Sequence, residues 1–159
     1  IRKYFESVDH EILKALFRRL FKDARLLLLL DQIVDHAVPG AEPGKGIPIG
    51  NLTSQHFANL YLGELDRHVT GVFGVGGYVR YMDDMLLWHD DRKRLEEVRQ
   101  LCSALVSGKL SLEFKPSQLR RVSGGINYLG CRIWPTHVEL NRRSKRRGRE
   151  SFAGFYDPC

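Results

Sequence analysis

Two adjacent carboxylates, Asp83 and Asp84, stand between mostly apolar runs in the stretch YVRYMDDMLLWHDD. The flanking residues are typical of strands, so the pattern predicts a β-hairpin with the acidic pair at its tip. The two negative charges repel each other there, and apolar flanks weaken the screening by water that would relieve them. Magnesium suits such a pair, because it prefers oxygen ligands and takes one or two protein carboxylates together with substrate phosphates. The pair is therefore a candidate site for a divalent metal ion.

A plainer interpretation of the same pair stays open at this point. Aspartate is a favoured turn residue, and two aspartates at a hairpin tip are more often a solvated turn than a metal site. The segments that surround the pair must decide between the two interpretations.

The composition of the chain sets broad limits. Its 159 residues, 43% of them hydrophobic, are enough for one domain with a buried core. Its net charge of +6 favours an anionic partner such as nucleic acid. Cys102, Cys131 and Cys159 are far apart, and no histidine stands at zinc-ligand spacing from them. Neither a disulfide framework nor a zinc site is therefore expected, and a reducing, cytoplasmic compartment fits best.

The apolar runs do not predict a membrane protein. The leucine run at 26–30 is bounded by Arg25 and Asp31, and it is far shorter than the ~20 apolar residues of a membrane span. We expect it to form a buried helix. The first residues lack the basic start and apolar core of a signal peptide. The strand-like opening IRKYF begins in mid-pattern, which predicts a fragment of a longer protein.

Apolar residues at three- and four-residue spacing predict amphipathic helices. Ser7 or Asp9 can cap the first helix, and Asp90 or Asp91 can cap the last. A loop rich in proline and glycine, residues 38–46, separates the second helix from the third. The predicted helices run from the first cap to about residue 22, and over residues 25–37, 53–68 and 92–108.

Strand signals fill the remaining segments. The stretches KLSLEF and GINYLGCRIWP alternate apolar and polar residues and contain β-branched or aromatic side chains. Together with the hairpin at the acidic pair, they predict an α+β fold in which helices lie between antiparallel strands. The basic run NRRSKRRGRESF that follows is either a solvated, mobile face or a contact with a phosphate backbone.

These segments, in this order, resemble the palm of reverse transcriptases. The resemblance covers nearly the whole chain and implies a polymerase palm with a ferredoxin-like core and part of the fingers over residues 1–140. It implies the basic, mobile start of the thumb over residues 141–159. The matching stretches are IRKYFESVDH for the first palm motif, GIPIGNLTSQ for the nucleotide-binding motif, YMDD for the metal motif, LEFKPSQ for the fourth motif and NYLGCRI for the primer-gripping hairpin.

The resemblance implies an RNA-directed DNA polymerase that uses template RNA, a DNA primer and deoxynucleoside triphosphates. Such a polymerase uses two Mg²⁺ ions, or Mn²⁺ in their place, and Asp83 and Asp84 would be their ligands. The remaining catalytic carboxylate of the family stands immediately before the position of Ile1. We therefore expect an aspartate there in the parent protein, and we expect the chain without that aspartate to be inactive.

Further site residues follow from the same resemblance. Phe5 would lie beneath the nucleotide sugar and exclude a 2′-hydroxyl, although a phenylalanine at this place can also be plain core. Lys115 would neutralise or protonate the departing pyrophosphate. The residues expected to contact the nucleotide are Phe5, Ile49, Gly50, Gln55, Tyr81 and Met82. Those expected to grip the primer are Tyr128, Leu129 and Gly130, and those expected to contact the nucleic-acid backbone are Arg142, Arg143, Lys145, Arg146 and Arg147.

The form IGxxxSQ, from Ile49 to Gln55, is similar to the reverse transcriptases of diversity-generating retroelements. Those enzymes copy a template RNA with frequent errors at adenines and are commonly paired with a small basic accessory protein. A group II intron or retron type of reverse transcriptase is an alternative within the same class. A non-catalytic nucleic-acid-binding module that kept the palm fold is an alternative from another class.

Overall fold

The chain forms two structural units in the computed structural model, which describes residues 1–36 and 38–153. The first unit, Ile1–Pro116, contains α1 (Tyr4–Ser7), α2 (His10–Leu20), α3 (Ala24–Val34), α4 (Leu52–Gly71), β1 (Gly77–Tyr81), β2 (Asp84–Trp88) and α5 (Arg92–Leu110). The second unit starts at Ser117 and contains a 3₁₀ turn (Val122–Gly124), β3 (Ile126–Tyr128), β4 (Cys131–Ile133), β5 (Val138–Leu140) and α6 (Arg142–Ala153).

Both units contain antiparallel strands. In the first unit β1 pairs with β2, from Gly77 opposite Trp88 to Tyr81 opposite Asp84. In the second unit the strand order is β3-β4-β5, and both pairings are antiparallel. The predicted α+β class is therefore confirmed.

Aspartate side chains cap three helices of the first unit, α2, α3 and α5. Asp9 accepts a hydrogen bond from the Ile12 backbone N–H at 3.1 Å, and Asp91 accepts one from Lys93 at 2.8 Å. Asp23 does the same for α3. Such caps pair backbone donors that the first helical turn leaves without partners. The predicted caps at Asp9 and Asp91 are confirmed.

Helix α4 forms the centre of the core of the first unit. Its side chains pack against α2, where the rings of Phe17 and Phe57 meet edge to face at 4.9 Å, and against α5. The hydroxyl of buried Tyr61 donates to the Leu110 carbonyl at 2.7 Å and accepts from the Asp9 N–H at 3.3 Å. One side chain thus joins the end of α5 to the start of α2.

Two predicted strands are absent. Residues 1–5 contain the start of α1 instead, and only one backbone hydrogen bond, from Arg2 N–H to the Glu113 carbonyl, joins the segment to residues 109–114. In KLSLEF, α5 continues past the predicted end at Gly108 to Leu110 and closes at Ser111, which has φ 50°. The alternation in KLSLEF is misleading because the buried Leu110 is the last residue of a helix, and the buried Leu112 follows its C-cap.

The leucine run is helical, as predicted, but it is not buried. Leu28 is 64% exposed and Leu29 is 53% exposed, whereas Val34 is the buried residue of α3. Five consecutive leucines cover the whole circumference of a helix, while α3 packs against α2 on one side. No helix in the described ranges is long and apolar enough to span a membrane.

Two elements of the second unit were not predicted. Strand β5 follows a tight turn in which the Trp134 N–H donates to the His137 carbonyl at 2.9 Å. The basic run that was expected to be mobile begins in α6, which Asn141 caps by accepting from the Ser144 N–H at 2.8 Å. Residues 154–159 of the predicted thumb segment lie outside the described residues.

The position of Tyr61 predicts a measurable contribution to stability. Tyr61→Phe leaves the Leu110 carbonyl and the Asp9 N–H without their partner in the core. We expect the free energy of unfolding to fall by about 1–3 kcal/mol, because buried polar groups lose water without gaining a partner. Urea unfolding measures this loss. Tyr81→Phe, at an exposed tyrosine, is the control; equal unfolding midpoints for the two variants would contradict the assignment.

Candidate functional site

The acidic pair lies where the sequence predicted it, at the tip of the β1–β2 hairpin. Tyr81 and Asp84 form the last residue pair, so Met82 and Asp83 are the two residues of the turn. Met82 has φ 53°, which is uncommon for a residue other than glycine. Such backbone strain persists only where the surrounding structure holds it, and it clusters at functional sites.

The first residue of the chain lies beside Asp83. The backbone nitrogen of Ile1 lies 3.7 Å from Asp83 Oδ2, and the Asp83 side chain is 31% exposed. The Asp83 carboxylate is therefore directed toward the segment that precedes α1.

Beside this contact is a pocket of about 150 Å³. It brings together residues from the start of the chain, the loop before α4, the β1–β2 hairpin and the segment after α5. Its lining residues are Ile1, Lys3, Tyr4, Phe5, Glu6, Ile49, Asp83 and Lys115. Of the residues predicted to form the site, Phe5, Ile49, Asp83 and Lys115 thus share one cavity.

Helix α1 presents Phe5 to this pocket because its neighbour Tyr4 is fixed to the core. The Tyr4 hydroxyl donates to the Ala58 carbonyl of α4 at 2.5 Å, and burial raises the pKa of Tyr4. Phe5 is only partly buried and meets the Tyr4 ring edge to face at 5.6 Å. Phe5 is therefore a pocket residue that rests on the core.

Ile49 lies in the loop before α4, and backbone hydrogen bonds hold this loop against α1 and the residue after it. The Ile47 N–H donates to the Phe5 carbonyl and the Gly46 N–H to the Val8 carbonyl, each at 2.8 Å. Gly46 has φ 94°, and a Cβ atom there would lie 2.8 Å from the Ala41 Cβ, so this position requires glycine. The side chain of Ile49 remains 76% exposed at the pocket.

Several predicted residues do not line the pocket. Gln55 is exposed in the first turns of α4, and Tyr81 is exposed at the end of β1. Of the residues predicted to bind the metal or the nucleotide, those outside the pocket lining are Gly50, Gln55, Tyr81, Met82 and Asp84.

Four pocket residues were not assigned by sequence reasoning: Ile1, Lys3, Tyr4 and Glu6. Lys3 and Glu6 form an ion pair at 3.1 Å, and they stand on either side of Phe5 in the same motif. The opposite charges of Lys3 and Glu6, three residues apart and next to Phe5, were the sequence signal that could have predicted this pair.

The second unit contains the predicted primer-gripping hairpin. Tyr128 pairs with Cys131, and the turn residues Leu129 and Gly130 have φ 48° and 81°. Two positive φ values in a two-residue turn are typical of the type I′ turn, whose twist suits a hairpin. A Cβ atom at Gly130 would lie 2.8 Å from Ser144 Oγ of α6, so glycine permits this close approach.

Helix α6 carries the predicted basic residues on exposed positions. Lys145 forms an ion pair with Glu139 at 3.1 Å, and Arg146 forms one with Glu150 at 3.5 Å. Such exposed pairs stabilise little and leave the charges accessible. The exposed basic residues are Arg142, Arg143, Lys145, Arg146 and Arg147.

The chemistry of the pocket is compatible with Mg²⁺ carried by a phosphate ligand. In the described ranges no three His, Cys, Asp or Glu side chains are grouped as a complete metal site. Mg²⁺ does not need such a group, since it takes one or two carboxylates plus substrate phosphates. Asp83 supplies a carboxylate to the pocket, and Lys3 and Lys115 supply positive charge for phosphates.

The family of the protein follows from a comparison of the whole sequence. The model of the reverse transcriptase (RNA-dependent DNA polymerase) family matches residues 1–133. Comparison with curated proteins gives no significant match. The matched range contains the pocket, the acidic hairpin and the β3–β4 hairpin. Because this match covers most of the chain, the protein belongs to the reverse transcriptase family, and its α+β fold is that of a palm-like fragment.

Proposed function

We propose that the pocket beside Asp83 is the nucleotide-binding and catalytic site of an RNA-directed DNA polymerase. The observation that carries this proposal is the convergence of Phe5, Ile49, Asp83 and Lys115 on one cavity, although they are distant in sequence. The family match implies template RNA, a primer and deoxynucleoside triphosphates as substrates. A cavity with both carboxylate and ammonium groups suits a substrate that combines a metal ion with a triphosphate.

The reaction is an in-line displacement at phosphorus. The primer 3′-oxygen forms a bond to the α-phosphorus while the bond to the β-phosphate oxygen breaks, and pyrophosphate leaves. Mg²⁺, held by Asp83 and Asp84, would stabilise the negative charge on the attacking and leaving oxygens. Lys115 lies in the same pocket and contributes positive charge toward the departing pyrophosphate.

The environment of Ile1 supports a further carboxylate in the full gene product. Any residue joined to the Ile1 nitrogen begins beside Asp83, because that nitrogen lies 3.7 Å from the Asp83 carboxylate. An aspartate at this position would complete the set of carboxylates that a two-metal mechanism needs. The chain without it would hold metal weakly and turn over slowly or not at all.

The remaining roles belong to the same proposal. Phe5 selects the sugar by its volume, and Ile49 and Gly50 lie along the incoming nucleotide and the template base. Gln55 holds the loop before α4, and Tyr81 and Met82 flank the metal position. The β3–β4 turn grips the primer end, and the basic face of α6 follows the nucleic-acid backbone, which agrees with its exposed charges.

The segment from Ile49 to Gln55 supports the diversity-generating branch of the family. Ile49 is apolar, and an apolar contact near the base pair discriminates less sharply than hydrogen bonding does. A polymerase with such a contact would copy with reduced fidelity, as enzymes of that branch do. A small basic accessory protein and a cytoplasmic location are part of this proposal.

The catalytic assignment predicts the effect of removing one charge. In the full gene product, Asp83→Asn should reduce Mg²⁺-dependent primer extension on an RNA template by more than about 100-fold. Mutation of a residue that only hydrogen-bonds to a metal ligand lowers metal affinity or activity about 10–100-fold, so loss of a direct ligand should lower activity by at least as much. The matched control is Asp90→Asn, at an exposed aspartate after the same hairpin. Extension by Asp83→Asn at the level of this control would remove Asp83 from the site.

The place of Phe5 predicts a change in sugar selection. Phe5→Ala opens space beneath the ribose position, so incorporation of ribonucleotides relative to deoxynucleotides should rise about 10-fold or more. Primer extension with each nucleotide type measures the ratio. Phe21→Ala, at a partly exposed phenylalanine outside the pocket, is the control. A ratio that stays at the wild-type value would show that Phe5 only packs.

The exposed side chain of Ile49 predicts a change in fidelity. Ile49→Gln provides hydrogen-bonding groups at the pocket, so misincorporation opposite template adenines should fall. Sequencing of the copied DNA measures the error rate. Ile49→Val keeps the contact apolar and should copy like the wild type; an unchanged error rate in Ile49→Gln would separate this residue from fidelity.

A further inference from the structure

The side chain of Arg80, in β1, is enclosed between the hairpin and α4. It is 10% exposed, and each of its nitrogen atoms has a partner. Nε donates to Asp66 Oδ1 at 2.8 Å and Nη2 to Asp66 Oδ2 at 2.5 Å, which is the two-point geometry of a strong arginine–carboxylate pair. Nη1 donates to Asn59 Oδ1 at 3.0 Å and to the Met82 carbonyl at 2.9 Å.

Asp66, which binds the Arg80 guanidinium, is itself held in place. Asp66 lies on α4 next to the fully buried Leu65 and one turn before the fully buried Val69. Its carboxylate also accepts a hydrogen bond from the Tyr78 hydroxyl at 2.7 Å. The guanidinium therefore has a fixed position relative to the core, independent of the conformation of the hairpin tip.

The contact with the Met82 carbonyl acts directly on the turn. That carbonyl belongs to the peptide group that joins Met82 to Asp83, so a hydrogen bond to its oxygen fixes the orientation of this peptide plane. Met82 has φ 53°, a conformation that a methionine leaves readily unless it is held. The orientation of the peptide plane in turn sets the direction in which the Asp83 side chain leaves the backbone.

We propose that Arg80, anchored by Asp66, is a positioning residue that keeps the Met82–Asp83 turn strained and thereby aims the Asp83 carboxylate into the pocket. The metal-binding part of this inference rests on the proposed function of Asp83. Arg80 itself touches neither substrate nor metal. A lysine in its place keeps the charge, but one ammonium group cannot reproduce the planar fork that binds Asp66 and reaches Met82.

The test uses the full gene product labelled with ¹⁵N. The backbone amide resonance of Asp83 reports the turn without metal, and its broadening by added Mn²⁺ gives a dissociation constant. Arg80→Lys should displace the metal-free resonance and weaken Mn²⁺ binding about 10-fold or more, as expected for a partner that orients a metal ligand. Asn59→Ala is the matched control, because it removes one contact of Arg80 and leaves the Met82 contact in place.

A rescue variant separates positioning from folding. Glycine adopts positive φ without steric cost, so Arg80→Lys combined with Met82→Gly should recover part of the Mn²⁺ affinity. A purely structural role of Arg80 gives no such recovery. The proposal is overturned if Arg80→Lys leaves the Asp83 resonance in place, or if the double variant binds Mn²⁺ no better than Arg80→Lys.

Two further outcomes are distinguishable. If the wild-type full gene product shows no broadening at Asp83, the metal role in the proposed function fails, and the metal-free Asp83 resonance alone decides the positioning role. If Arg80→Lys does not fold, Asp66→Asn replaces it, since Asp66 has no contact with the turn except through Arg80 and Tyr78. An Asp83 resonance that Asp66→Asn does not displace would overturn the proposal.

Discussion

Burial of helix α4 is the constraint on which the candidate site depends. Each large apolar side chain buried on this helix contributes about 1.5–3 kcal/mol, so the helix has one favourable rotation about its axis. Its fully buried residues recur at three- and four-residue spacing: Ala58, Tyr61, Leu62, Leu65 and Val69. The same rotation directs hydrogen-bonding groups of α4 toward the parts of the site. The Ala58 carbonyl accepts from the Tyr4 hydroxyl, and the Asp66 carboxylate accepts from Arg80. The Tyr61 hydroxyl bonds to the Asp9 N–H and to the Leu110 carbonyl. Packing of one helix thus sets the positions of α1, the end of α5 and the acidic hairpin together.

The pocket contains groups of both charges. Asp83, Lys3 and Lys115 line the same cavity, and Lys3 is paired with Glu6 at 3.1 Å. In the proposed function, the carboxylate would bind the metal ion and the lysines would offset the charge of the triphosphate. A nucleotide that carries its metal would then satisfy both sets of groups together.

Sequence patterns predicted the helix caps and the acidic hairpin better than they predicted the other strands of the first unit. The caps at Asp9 and Asp91 and the hairpin around Asp83 follow from local chemistry, which is visible in a single sequence. The stretch KLSLEF failed because alternation does not say whether a partner strand exists, and in this fold α5 takes its first residues. The contact of Arg80 with Asp66 could not be predicted either, because it depends on the distance between β1 and α4. Local signals therefore located the hairpin that contains the two carboxylates, and only tertiary packing shows which residues of α4 contact it.

The central claim is that Asp83 holds a metal ion together with the phosphates of a nucleotide. Diffraction from crystals of the full gene product grown with Mn²⁺ and a deoxynucleoside triphosphate tests it most directly, because the anomalous signal of manganese marks the ion. We predict an anomalous peak in the pocket, bonded to a carboxylate oxygen of Asp83 and to phosphate oxygens of the nucleotide. A bound nucleotide with its manganese ion away from Asp83 would contradict the claim.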